Sequence, residues 1–179
     1  MSPLGKRMAV ELFTPQSRIA GQIVTHHIHV RDELNDSRLS ILVFREAEIA
    51  SLHDLRAPRV DAGDAWLEKN EILLAVPYRI KGTTSMLTQR ALQSRLGKNE
   101  HRLLLEMGVF RVEGNFYHAG KLRIEDVLRR DLAPFGALNN VHVTCLINPS
   151  VSFVADEVAF NVEQVKMLCT EYEIRQKAD

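Results

Sequence analysis

Aromatic residues are few, at 6% of the chain, and cysteine is rarer still, with Cys145 and Cys169 the only two. Two cysteines with neither a metal-ligand spacing nor a partner pair argue against a zinc site or a disulfide framework, and predict buried free thiols. The shortage of aromatics limits the platforms on which nucleobases could stack. Charge of one sign is not in excess either. The 23 basic residues are matched by 23 acidic ones, so no global field directs the molecule toward nucleic acid or an anionic membrane, and such a partner would need a local patch. No apolar run is long enough to span a bilayer, and the opening MSPLGKRMAVELF has no continuous apolar core followed by a small-residue cleavage site. The expectation is a cytoplasmic protein with no membrane partner.

The hydrophobic share is 45% of 179 residues, enough to build one medium core or two small ones. Self-similarity favours two. A shift of 94 residues places Asp32 on Asp126, Leu34 on Leu128, Ala65 on Ala159, Trp66 on Phe160 and Leu74 on Leu168. A shift of 93 places Ser17 to Ile23 on Phe110 to Phe116, with the slip assigned to a loop. The expected units are 1–83 and 99–179, joined by a helical connector over 84–98.

Within each unit the pattern predicts strands. Val10 and Leu12, then Ile19, Gly21 and Ile23, then Ile72 to Ile80 alternate at period two, as strands with one buried face do. Gly21 and Gly114 sit mid-strand, where glycine marks a bulge or sharp bend that lets a sheet curl. Asp32 and Asp126 each open a short Asp-x-Leu turn and are expected to cap its backbone N–H groups. The fold class expected is mainly β: two tandem small Sm-like or SH3-like barrels. Trp66 and Phe160 are expected as core plugs.

These elements carry a resemblance. Val10-x-Leu12-x-Thr14-Pro15-x-x-Arg18-Ile19-x-Gly21-x-Ile23, then Arg31-Asp32-Glu33-Leu34-Asn35, then Ile49 and the late strand Glu71 to Val76 resemble an uncharacterised bacterial domain family. The order is also similar to small Sm-like barrels, in which a strand pair around a glycine leads to an Asp and Asn turn. That resemblance implies ring assembly and RNA binding near Asp32 and Asn35. The second copy keeps Asp126 but has Arg129 in place of Asn35.

The stretch VTHHIHVRDELND raises the chemistry. His27 and His29, two apart on an expected strand, would share a face about 6–7 Å apart, a spacing a metal can bridge. His29 with Asp32 would be the acid/base pair of an enzyme, although Ser37 and Ser40, the nearby hydroxyls, lack a nucleophile elbow. In the second copy Lys121 and Arg123 replace the two histidines. The shared feature is therefore a polar outer row, and no catalytic residue or cofactor is assigned. Lys81-Gly82-Thr83-Thr84-Ser85 lacks the order of a phosphate loop and reads as a helix entry. Arg90, Arg95 and Lys98 in the basic connector, with Lys121 and Arg123, are the candidate nucleic-acid or anion contacts. The expected role is a non-catalytic assembly module, with a homo-oligomer or other protein as partner. The alternative is an Sm-like binder of RNA or single strands, and the third is a metal- or His/Asp-dependent enzyme.

Overall fold

The computed structural model describes residues 5–54, 56–78, 96–128, 133–170 and Tyr172. The first half comprises β1 (Lys6–Phe13), β2 (Ser17–Thr25), α1 (Val30–Leu34), β3 (Ile41–Ser51), β4 (Val60–Glu68), a 3-10 turn at Lys69–Glu71 and β5 (Leu74–Pro77). The second follows the same order with β6 (Asn99–Met107), β7 (Phe110–His118), α2 (Ile124–Val127), β8 (Phe135–Cys145), β9 (Phe153–Asn161) and β10 (Val165–Thr170). Short 3-10 turns at Pro149–Val151 and Val162–Gln164 flank β9. The chain is mainly β, as its alternation predicts.

The ten strands among the described residues belong to one antiparallel sheet in the order β10-β6-β7-β8-β9-β5-β1-β2-β3-β4. Each half repeats one order, with its fifth strand beside its first and its fourth at the far side. Hydrogen bonding closes neither half into a barrel; it runs through both as one open sheet. The sheet must nonetheless bend. Within the second half β9 and β10 stand four strand spacings apart, about 19 Å if flat. Only residues 162–164 connect them, a span of about 14 Å even when extended.

The bends have a shared device. The register of β2 on β3 shifts between Ala20 and Gln22, and that of β7 on β8 between Glu113 and Asn115. Gly21 and Gly114 sit at these two bulges. Opposite them, Glu46 and Asn140 adopt left-handed φ of 54° and 51°. A Cβ on Gly21 would stand 3.0 Å from the Arg45 carbonyl oxygen and the Phe44 ring; one on Gly114 would stand 3.1 Å from Leu138 Cβ. Both contacts are tighter than most side chains make, so the approach of the neighbouring strand favours glycine.

The register also corrects the repeat. Val43 pairs with Trp66, and its counterpart Ala137 pairs with Ala159. Trp66 therefore corresponds to Ala159 and Leu67 to Phe160, a shift of 93, because the loop before β9 (146–152) is one residue shorter than that before β4 (52–59). Phe160 is fully buried, whereas Trp66 is 67% exposed and is no core plug. Ile72 lies in the turn before β5, and Ile80 lies outside the described residues.

The two cores interleave at the β5–β9 joint. Phe13, Leu52, Leu73 and Leu74 of the first half pack into the second half's cluster, while Phe135 and Ala159 of the second pack into the first's. Of the connector at 84–98, only Leu96, Gly97 and Lys98 fall among the described residues. Gly21→Ala and Gly114→Ala should each lower unfolding free energy by about 1–3 kcal/mol. Gly63→Ala, which meets nothing within 4 Å, should stay within about 0.5 kcal/mol of the parent. Urea denaturation of the three variants reads the contrast.

Candidate functional site: the polar turns and the open sheet edges

β2 ends at Thr25, so His27 and His29 lie in the loop before α1 rather than on a shared strand face. The strand stops there because the Thr25 hydroxyl is recruited to the turn: it accepts from His27 N at 2.8 Å and donates to Glu33 Oε2 at 2.5 Å. Hydroxyl bonds of this kind compete with a strand ladder. His27 Nε2 then lies 3.2 Å from Asp36 Oδ2. His29 serves through its carbonyl, which accepts from Asp32 N at 3.1 Å, while the Asp32 carboxylate pairs with Arg31 at 3.2 Å. Asp32 does not cap its turn: His29 is the N-cap of α1, and no side chain caps it. Asp126 does cap its turn, accepting from Arg123 N at 3.1 Å.

Among the described residues no three His, Cys, Asp or Glu side chains gather where a metal could be held. Ser37 and Ser40 are exposed. Asn35, the position implied for RNA contact, is spent on the joint: its Nδ2 donates to Phe135 O at 2.9 Å and its Oδ1 accepts from Phe135 N at 2.8 Å.

Lys69 is buried beneath this turn, and its Nζ donates to the carbonyls of Glu33 and Asp36 at 2.8 and 2.9 Å. Burial pulls the lysine pKa down, against the attraction of Glu33 and Asp36. Asp36 is held far below the usual carboxylate range by the Arg38 side chain, helped by the Arg38 backbone N–H and His27. The cluster is a charge network that ties a loop together.

The basic candidates divide. Lys121 and Arg123 lie exposed between β7 and α2, and Lys98 lies exposed just before β6. Pairing of Asn99 with His118 and its 3.2 Å bond to Gly120 O bring the three to one end of the β6–β7 hairpin. Arg90, Arg95 and Arg129 lie outside the described residues, as does the 81–85 stretch. Cys145 is buried and Cys169 half-buried, both as free thiols.

A cavity of about 370 Å³ opens beside the joint, between Arg18, Asp54 and Arg59 of the first half and Ser150 and Phe153 of the second. Several of its polar residues are engaged within the protein: Arg18 with Glu11, Arg59 with Glu48 at 2.9 Å, and Ser150 with Asn148 at 2.6 Å.

The ends of the sheet offer a different kind of open surface. Among the described residues β4 and β10 each pair on one side only. β4 carries Val60 at 56% exposure and Trp66 at 67%, and β10 carries Met167 at 39%. An edge strand presents unpaired backbone N–H and C=O groups, a template for another strand. VDAGDAWLE has no clean apolar alternation, so neither β4 nor its position at the edge is read from the sequence, because nothing local records which neighbour a strand lacks.

Because the folded state lowers the Asp36 pKa, the stabilisation it brings is fully present above the ordinary aspartate range and is lost as pH falls below that range toward the lowered pKa of the folded state. Asp36→Asn should therefore lower the urea midpoint at neutral pH and flatten its decline toward acid, as a midpoint-against-pH series will register. No family model matches the chain, and no curated protein or solved structure matches it either.

Proposed function

We propose that this protein is a non-catalytic assembly module that associates with other copies of itself through the two open edges of its sheet. Each half then serves as a small barrel-like unit of Sm-like strand order, bent over its own core and using its outer strand for joining. One observation carries this function. Trp66 is 67% exposed on an unpaired edge, whereas its counterpart Ala159, on a strand paired at both sides, is fully buried. A large aromatic on a free edge is the kind of anchor that interfaces bury.

Trp66 is the only tryptophan, so its emission reports directly on the edge. Rising protein concentration at low salt should raise the sedimenting mass and move that emission to shorter wavelength. Trp66→Ser should weaken association roughly tenfold or more. A single-chain mass at every concentration, with emission unchanged, would sink this reading.

A second reading is a single-strand nucleic-acid binder, supported by Lys98, Lys121 and Arg123. All three are exposed at one end of a hairpin and without ion pairs among the described residues. Clustered cations of this kind suit phosphate contacts. On this reading labelled single-stranded RNA binds with an affinity that falls steeply with salt, and neutralising the three abolishes binding. Unchanged fluorescence anisotropy on titration would exclude it.

A further inference from the structure

We infer that β10 of one copy receives β4 of the next in the register of the internal β5–β9 joint, with Lys166 of the first opposite Glu68 of the second. This rests on the edge association proposed above, and it names which edge meets which.

Inside the chain Leu74 pairs with Phe160 and Ala75 with Ala159. The repeat maps β5 onto β10, because Phe13 pairs with Leu74 as its counterpart Glu106 pairs with Met167. It maps β9 onto β4 through the pairs of Trp66 and Ala159 already described. Carried to the free ends, the same joint sets Met167 opposite Leu67 and Leu168 opposite Trp66. All four are apolar. Their counterparts Leu74, Ala75, Ala159 and Phe160 are fully buried, whereas Met167 and Trp66 are exposed and Leu67 and Leu168 half-buried.

One step along, Asn161 N donates to Leu73 O at 3.0 Å across the internal joint. The counterparts of these two residues are Glu68 and Lys166, both exposed and without an ion pair among the described residues. Opposite charges directly across a ladder attract. The symmetrical alternative, β4 on β4, is disfavoured by its own charge: Asp61, Asp64 and Glu68 lie on a strand with no basic residue, and self-pairing would set that acidic row against itself.

The same mapping predicts how the joint between copies differs from the internal one. Inside, Asn161 Nδ2 donates to Ile72 O at 3.0 Å and Gln164 Nε2 to Asn70 O at 3.4 Å. Glu68 and Glu71 stand at the counterpart positions, and carboxylates cannot donate. The amide clamp is thus replaced by an exposed ion pair that salt screens. The internal joint is permanent; the joint between copies is reversible and sensitive to ionic strength.

Glu68→Lys and Lys166→Glu, both at exposed positions, test this by sedimentation velocity, with urea midpoints confirming that each variant is folded. Each variant alone should associate about three- to tenfold more weakly than the parent at low salt. An equimolar mixture should recover parent-like association, since the two altered edges complement each other, as do the two unaltered ones. Single reversals without effect, or a mixture no stronger than its components, overturn this register while leaving edge association standing. A parent that never associates overturns edge association itself.

Discussion

The two-residue ladder between β5 and β9 is the constraint on which the remaining architecture depends. Only Leu74 with Phe160 and Ala75 with Ala159 pair there, too little backbone to hold two five-strand units in one sheet unaided. Three asparagines supplement it. Asn35 makes both bonds of a strand neighbour to Phe135, Asn161 binds the carbonyl of Ile72, and Asn148 donates to Leu52 O at 3.2 Å. Phe13 then stacks on Phe153 at 5.0 Å and meets Phe110 edge-on at 5.4 Å. Leu73 packs against Gly108, whose φ of 54° and missing Cβ leave it room. Each such contact places a side chain of one half in the other's core. Separating the halves would expose fully buried leucine and phenylalanine, each worth about 1.5–3 kcal/mol.

Two halves with the same strand order leave two kinds of strand end, and the residues at them differ accordingly. At the internal joint the positions that face across are apolar or amide. At the free ends their counterparts include Glu68, Glu71 and Lys166. Charged residues on an open edge restrain indiscriminate strand pairing, while on the proposed association the exposed Trp66 and Met167 would favour a matched partner. The difference follows from where each strand sits: an edge that is covered can be dry, and an edge that meets water has to remain soluble.

This difference also governs which features are legible in the sequence. Strand alternation, the bulge glycines and the shared strand order of the halves are local or recurrent, and they can be read directly. Gly21 and Gly114 stand out because a glycine inside an alternating run gives up a packing side chain, which a strand tolerates where it bends or where a neighbour comes close. The one-residue slip before β9 is hidden, since Leu74 matches Leu168 as well as Met167 by residue type, and only the pairing of Val43 with Trp66 settles the frame. The exposure of Trp66 is hidden for the same reason, as its burial depends on a neighbour strand that its own sequence does not specify. The role of Asn35 is out of reach because its partner Phe135 lies 100 residues away.

The histidine-rich turn illustrates how chemistry-bearing residues can gather for a structural reason. In the second half the first residue of the turn after β9 is Val162, which packs into the core. In the first half that place is held by Lys69, whose ammonium binds the carbonyls at the end of α1. A buried cation needs compensating oxygen atoms and nearby negative charge. Glu33 and Asp36 supply the charge, and Arg38 and His27 in turn hold Asp36 ionised. One lysine in place of an apolar residue thus accounts for a local concentration of ionisable groups that, taken residue by residue, resembles an active site. Where the apolar residue stands at that place, the same fold is built without the network, and the histidine positions are held by Lys121 and Arg123.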